Sequence, residues 1–144
     1  MKSFGNGLLK LKIETFPYPI EVVVDTVVNN SEDEGKVREA VLNIFPKMEM
    51  VFSRGKLMGV SSDAESLNMI YEQIRIRRTL GAVRRLLLSH SSNNSTWLYF
   101  NKQAAYAKVV AVCDESTESP LGPIKMSTTS VELDEFINWL APRF

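Results

Sequence analysis

The chain has 144 residues with 44% apolar side chains, and its 17 basic residues balance its 17 acidic ones. This length predicts a single domain over residues 1–144 that buries roughly 70% of the surface of the unfolded chain. No run approaches the roughly 20 apolar residues of a membrane-spanning helix, and no secretory leader is recognisable, so we expect a cytoplasmic protein. The zero net charge excludes a global basic field that attracts nucleic acid non-specifically.

A strand and a helix are predicted first along the chain. Residues 20–28, IEVVVDTVV, are rich in β-branched side chains and predict a strand. Ser31 and Glu34 have the spacing of a capping box, which predicts the start of a helix. Apolar residues then recur at helical spacing until Pro46, where we expect the helix to end.

A hairpin and a long second helix are predicted next. The runs 48–53 and 56–61 flank Arg54-Gly55 and predict a hairpin, although this turn pair is weaker than Asn-Gly. Asp63 is suited to cap a helix over residues 64–89. A continuous helix there has two apolar stripes. One contains Met69, Ile76, Leu80, Val83 and Leu87, and the other, nearly opposite, contains Leu67, Ile70, Tyr71 and Ile74.

Two apolar stripes on one helix require an explanation. Either the helix kinks near Gly81, or its first half is covered on the far side by another element or another subunit. We favour the second explanation, because an exposed apolar stripe is typical of an interface. The prediction is a homodimer contact through Leu67, Ile70, Tyr71 and Ile74.

The last part of the chain predicts strands at residues 96–101, 107–113 and 122–128. A final helix is predicted over residues 131–141, with Thr129 as its cap. Helices and strands do not alternate regularly in this order, which argues against a parallel doubly wound sheet. We expect an α+β fold, a two-layer sandwich with helices on one face of a mostly antiparallel sheet.

Catalytic and metal chemistry find little support. One Cys and one His exclude a zinc site of about four N or S ligands. His90 lies in a polar loop, where a solvated side chain is expected, and Cys113 lies in a valine-rich run typical of a buried, unreactive thiol. The sequence Glu32-Asp33-Glu34 suits the first turn of a helix. We therefore predict no catalytic residue, no metal, no cofactor and no enzymatic activity.

Arginines cluster in the second predicted helix. In a continuous helix Arg78 and Arg85 share one face, and Arg77 with Arg84 form a parallel row beside it. Guanidinium groups bind phosphate oxygens bidentately and stack on bases, so this double row could lie along an RNA backbone. The alternative is a solvated face, or ion pairs with the acidic residues 13–50, and the zero net charge favours that alternative.

The segment NKQAAY, residues 101–106, interrupts the predicted strands and has two interpretations. Asn101 and Gln103 can hydrogen-bond to backbone, which is typical of a bulge or short turn. Alternatively, Lys102, Gln103 and Tyr106 offer a phosphate contact, a base-edge contact and a stacking platform for single-stranded RNA.

Four motifs in order carry a family resemblance: SEDEGKVREAVLNIFP (31–46), NKQAAYA (101–107), ESPLGPIKM (118–126) and INWLAPRF (137–144). Together they resemble the archaeal uncharacterised protein family 0201 from about residue 20 onward. The resemblance implies a fold similar to that of the fifth protein of the large ribosomal subunit, a grouping with predicted exosome-associated RNA-binding proteins, and dimers. The sequence departs from that family in two places. One is Lys108, which stands where that family has the pair Gly-Lys. The other is residues 1–19, which form either an N-terminal extension or an extra strand.

The leading hypothesis is a non-enzymatic RNA-binding or ribonucleoprotein-associated protein. Its RNA contacts are predicted to be Arg75, Arg78, Arg84, Arg85, Lys102, Gln103 and Tyr106. The alternative is a dimeric assembly protein without nucleic-acid binding, in which the arginines form ion pairs between subunits. An enzyme of unrecognised class ranks third.

Overall fold

The computed structural model describes residue 13 and residues 15–143. Its strands are β1 Glu21–Val27, β2 Val51–Ser53, β3 Lys56–Ser61, β4 Ser95–Phe100, β5 Val112–Cys113 and β6 Ile124–Thr129. They form one sheet in the order β2-β3-β1-β6-β4-β5, and every neighbouring pair is antiparallel. The α-helices of the described residues are α1 Glu34–Ile44, α2 Asn68–Ile76, α3 Leu80–Ser89, α4 Lys102–Tyr106 and α5 Leu133–Leu140.

The sheet is buried on one face and open on the other. In β4 the alternate residues Thr96, Leu98 and Phe100 are buried, whereas Trp97 and Tyr99 are partly exposed. This period of two follows from the pleat, which directs successive side chains to opposite faces. The helices supply the other half of the core, so the predicted α+β fold is confirmed. The similarity to the fifth protein of the large ribosomal subunit stays a prediction.

Two predicted helix caps are not used. The α1 cap is Asp33, not Ser31, because the Asp33 carboxylate accepts from the Gly35 amide at 2.7 Å. The N-cap of α5 is Glu132, which makes no side-chain cap hydrogen bond; its amide donates to the Ser130 hydroxyl at 3.1 Å, and the Thr129 hydroxyl bonds to Ser95 in the sheet. In both places several potential capping residues lie close together in the sequence, and the backbone path decides whether any of them caps the helix.

The predicted continuous helix over residues 64–89 is wrong. A 3₁₀ turn at Ala64–Leu67 leads into α2, which ends before Arg78, and α3 starts at Leu80. The end of α2 is a Schellman motif, in which the Thr79 amide donates to the Ile74 carbonyl at 2.9 Å. Arg78 is the left-handed residue of this motif, with φ of 58°.

Because the helix breaks, the two apolar stripes of α2 have the opposite roles from those predicted. The residues predicted to contact a second subunit are instead buried in the core of their own chain: Leu67, Ile70, Tyr71 and Ile74. The predicted homodimer contact through them is therefore wrong. Ile76, predicted to face the core, is exposed. The physical reason is that a helical pattern keeps its phase only while the helix continues.

The segment NKQAAY forms a short helix rather than a strand or a bulge. The Asn101 carboxamide caps α4 by accepting from the Ala104 amide at 2.8 Å. Lys108, with φ of 66°, ends the helix in a second Schellman motif. The strand predicted at 107–113 is accordingly reduced to the two residues of β5.

The remaining predictions have mixed outcomes. The strands β1, β4 and β6 confirm those predicted at 20–28, 96–101 and 122–128. The predicted hairpin is confirmed with a shorter first strand, and its turn holds Arg54 and Gly55 at positive φ. The extra strand proposed within residues 1–19 falls mainly on residues outside those described. Among the described residues, no helix is long and apolar enough to cross a membrane.

Candidate nucleic-acid interface

The turn between α2 and α3 presents the exposed arginines. We name residues 77–85, which include the first half of α3, the α2–α3 elbow. Arg77 and Arg78 are exposed there, and Arg85 is exposed on the following helix. Ion pairs among the described residues are Arg38–Glu34, Lys47–Glu65 and Lys102–Glu32. No carboxylate of this part of the chain therefore lies within ion-pair distance of the elbow arginines, which leaves their charge available to an anion.

The elbow also contains the amino-terminal end of α3. Thr79 occupies the cap position, but its hydroxyl donates backwards to the Ile74 carbonyl at 3.2 Å, and no described side chain caps the helix. The first amides of a helix have no partner within it, and the helix dipole adds positive potential there. Gly81 and Ala82 are exposed and small. The elbow thus combines three exposed cationic side chains with the open backbone donors of a helix start, and both kinds of group suit phosphate oxygens.

Two of the predicted RNA contacts hold the end of α5 instead. Arg75 donates to the Leu140 carbonyl at 3.0 Å and the Trp139 carbonyl at 3.1 Å, and its guanidinium lies 3.4 Å from the centre of the Tyr71 ring. Burial lowers the pKa of Arg75, while the nearby Tyr71 opposes that change. Arg84 donates to the Ala141 carbonyl at 3.0 Å. Both guanidinium groups neutralise the negative end of the α5 dipole, so the structure gives them a structural role.

Lys102 is also structural, which corrects its predicted role as a phosphate contact. Its side chain is only 4% exposed, and Nζ donates to the carbonyls of Val27 at 2.8 Å and Leu121 at 3.0 Å. The same ammonium lies 3.1 Å from the Glu32 carboxylate. Although burial raises the pKa of Glu32, hydrogen bonds from Asn29 and Lys102 outweigh burial and lower it below the usual value.

Around Lys102 three of the four sequence motifs meet. The Lys102 amide donates to the Ser119 hydroxyl at 3.0 Å, and the Gln103 carboxamide donates to the Pro120 carbonyl at 3.0 Å. Glu32 comes from the first motif, Lys102 and Gln103 from the second, and the SPLGP segment from the third. Residues of these three motifs therefore form one buried ion pair and the groove that lies over it.

That groove lies between α1 and α4 and has a volume of about 340 Å³. Its sides include Asp33, Lys36, Val37, Ala40, Gln103 and Tyr106. Tyr106 is 45% exposed. Of the predicted RNA contacts, Gln103 and Tyr106 are thus brought together in one concave surface, and the elbow arginines are at a separate place in the chain.

The polar loop residue His90 is not simply solvated as predicted. Its ring stacks on Trp97 with centroids 3.5 Å apart, and its Nδ1 lies 2.8 Å from the Trp97 carbonyl oxygen. Cys113 is buried as predicted, and burial, followed by the charges of Glu118 and Asp114, raises the pKa of its thiol. Among the described residues no cluster of three or more His, Cys, Asp or Glu side chains could hold a metal ion.

The sequence interpretation missed the elbow because it favoured one continuous helix covered by a second subunit over a kink near Gly81, and the kink was the better of the two explanations. One signal was present: Thr79 stands before an apolar run at helical spacing, which is the pattern of a helix start. The preceding Arg78 gave no matching stop signal, because left-handed positions are normally recognised from Gly.

Known relatives support the family resemblance. A protein-family model described as RNA binding matches residues 21–129. A UPF0201 protein of Methanothermobacter thermautotrophicus is 40% identical over 122 residues, which cover 85% of this chain and 91% of the relative. A UPF0201 protein of Methanopyrus kandleri is 38% identical over 135 residues, which cover 84% of each chain.

Solved structures agree with the sequence comparison. The crystal structure of a UPF0201 protein from Methanococcus jannaschii has a TM-score of 0.76 and 30% identity, and the match covers 86% of this chain and 94% of that one. A structure from Archaeoglobus fulgidus with 21% identity and a TM-score of 0.65 supports the fold alone. On these matches the chain belongs to the archaeal UPF0201 family, and to the protein family whose model is described as RNA binding.

Proposed function

We propose that this protein is a non-enzymatic RNA-binding protein, and that the α2–α3 elbow contacts the phosphate backbone. The observation that carries the proposal is that Arg77, Arg78 and Arg85 are exposed and form no ion pair with a described residue, together with a start of α3 that no described side chain caps. The family model described as RNA binding supports the same conclusion.

Charge distribution supports a local rather than a general contact. The chain as a whole has no net charge, so its long-range field does not attract a polyanion. The elbow, in contrast, has three exposed positive side chains, none of which forms an ion pair with a described carboxylate. Guanidinium groups bind phosphate oxygens bidentately, and each backbone amide at a helix start adds a further donor.

The test is charge reversal at the elbow. The double variant Arg78→Glu/Arg85→Glu should bind single-stranded RNA at least about tenfold more weakly than the wild type, because two phosphate contacts become repulsive. The matched control is Arg54→Glu/Lys56→Glu, which makes the same charge change on the exposed β2–β3 hairpin. Equal losses in the two variants would show that the binding is non-specific, and no loss at the elbow would refute the proposal.

We further propose that the protein acts within a ribonucleoprotein complex, on the ground that its family is grouped with predicted exosome-associated RNA-binding proteins. Crosslinking in cell extract, followed by sequencing of the bound RNA, tests this extension. Recovery of the same RNA species with wild-type protein, and its loss with Arg78→Glu/Arg85→Glu, is the expected result. RNA recovery that is the same with both proteins would contradict it.

The second candidate function is assembly of a homodimer without RNA. The observation that favours it is the open sheet face, where Val51, Met58 and Val60 are exposed. This face carries two acidic residues, Glu21 and Asp25, and two basic ones, Lys56 and Lys125. A face with balanced charge and apolar surface can be complementary to a second copy of itself.

Sedimentation at micromolar concentration tests the dimer. Val60→Lys should shift a dimer toward monomer, because it adds a charge to a side chain that is 57% exposed on the open face. Val131→Lys is the control, since Val131 is 73% exposed but lies just before α5. A wild-type protein that sediments as a monomer would refute this candidate.

A further inference from the structure

The groove between α1 and α4 has the composition of a site for a flat, polar ring. Val37 and Ala40 of α1 supply an apolar surface, and the Tyr106 ring of α4 is exposed on the other side. The volume of about 340 Å³ lies at the small end of the range of roughly 300 to 1,000 Å³ for ligand pockets. Such a groove can hold one small ring but not a large cofactor.

The charges of the groove argue against a phosphate as its occupant. The Glu32 carboxylate is neutralised by Lys102 at 3.1 Å. Asp33 and Lys36 contribute one negative and one positive charge. The lining is therefore neutral in sum, whereas the elbow is strongly positive. The groove therefore suits an uncharged ring better than a phosphate.

The hydrogen-bonding groups favour particular bases. Gln103 uses its Nε2 to donate to the Pro120 carbonyl, which leaves its Oε1 as an acceptor. Asp33 uses Oδ1 to accept from the Gly35 and Lys36 amides, which leaves Oδ2 as a second acceptor. Adenine and cytosine carry exocyclic amino groups that donate to such oxygens, whereas uracil presents carbonyl oxygens in their place.

We infer that this groove binds one unpaired nucleobase with an exocyclic amino group, stacked on Tyr106 and recognised by Gln103 and Asp33. The inference rests on the proposed RNA binding and adds its substrate class, which is single-stranded RNA. Base edges in a duplex are already paired, and sequence-specific recognition of RNA mostly uses unstacked, single-stranded bases. The Tyr106 ring supplies the face on which such a base stacks.

The experiment measures fluorescence anisotropy with labelled RNA decamers of adenylate, cytidylate and uridylate, and with a 10-base-pair adenylate–uridylate duplex. The wild type should bind the adenylate and cytidylate strands more tightly than the uridylate strand and the duplex. Tyr106→Ala should weaken binding of the adenylate strand by about tenfold, because a base stacked on an aromatic ring contributes on that order. Tyr106→Phe should retain binding, since it keeps the stacking face.

Two further variants separate recognition from folding. Tyr18→Ala is the control for loss of an exposed tyrosine, because Tyr18 is 40% exposed and lies outside the groove. Gln103→Met should reduce the preference for adenylate over uridylate without lowering the melting temperature by more than a few degrees. The Gln103→Met variant still tests the inference if Tyr106→Ala fails to fold.

The outcomes distinguish the groove inference from the proposed RNA binding on which it rests. If the wild type binds none of the four RNAs, both are wrong. If the wild type binds RNA and loses it in Arg78→Glu/Arg85→Glu, but Tyr106→Ala and Gln103→Met behave as wild type, the groove inference alone is overturned. Equal affinity for the duplex and the single strands would overturn it as well.

Discussion

Replacing Lys102 with methionine should destabilise the fold strongly. The variant keeps a linear side chain but removes an ammonium group that contacts Glu32, Val27 and Leu121 within 3.2 Å. Breaking a buried ion pair from one side costs about 3 to 5 kcal/mol, because the other charge stays buried without compensation. The two Asn29 hydrogen bonds to Glu32 remain. We therefore expect the lower end of that range, about 3 kcal/mol.

Chemical denaturation and calorimetry measure this loss. At this chain length about 3 kcal/mol lowers the melting temperature by roughly 6 to 12 °C. The double variant Lys102→Met/Glu32→Gln should recover part of the loss, because it leaves no unpaired charge. A Lys102→Met protein within about 1 kcal/mol of the wild type would refute the reasoning, since the ammonium would then contribute no more than an ordinary hydrogen bond.

The same ion pair predicts a dependence on pH. The folded pKa of Glu32 lies below its unfolded value of 4.5. A carboxylate whose pKa is depressed by folding stabilises the fold at pH values above the unfolded pKa, and this contribution disappears as the pH falls through the folded pKa. The stability difference between wild type and Lys102→Met should thus be full at pH 7 and shrink as the falling pH protonates Glu32, first in the variant and then in the wild type. A difference that does not change between pH 7 and pH 3 would contradict this assignment.

Two further substitutions test the backbone and the core. Arg78→Gly should raise the free energy of unfolding by about 1 kcal/mol, because glycine adopts the left-handed conformation without a Cβ penalty, and it should weaken RNA binding. Asn93→Gly, also at positive φ, should raise stability without changing RNA binding, and a loss of binding there would contradict the role of Arg78. Thr128→Val should stabilise the protein by about 1 kcal/mol in urea unfolding, since the buried Thr128 hydroxyl has no hydrogen-bond partner among the described residues; a destabilised variant would show that the hydroxyl is satisfied.

The sheet was predictable from the sequence because its signal is local. The β-branched side chains of IEVVVDTVV, residues 20–28, are sufficient to predict a strand, whose alternate burial the structure then shows. The hairpin at Arg54-Gly55 was predictable for the same reason. The fold class then follows from the order of the elements, since irregular alternation of helices and strands excludes a parallel sheet.

The candidate site was less predictable because its decisive contacts are distant in sequence. Glu32 and Lys102 pair across 70 residues, and Arg75 reaches Leu140 across 65. A basic side chain that caps a helix and one that stands free look alike in a sequence. The break at Arg78 was equally hidden, because an arginine in the left-handed region depends on the surrounding structure.

The most direct test of the central claim is the salt dependence of RNA binding. If Arg77, Arg78 and Arg85 each neutralise one phosphate of a single strand, log Kd should change with log salt concentration with a slope of about 2. Affinity should then fall roughly 20-fold between 50 and 200 mM salt. Replacement of all three arginines by glutamine should bring the slope close to zero. A slope near 2 that persists in the triple glutamine variant would contradict the elbow as the site of phosphate binding.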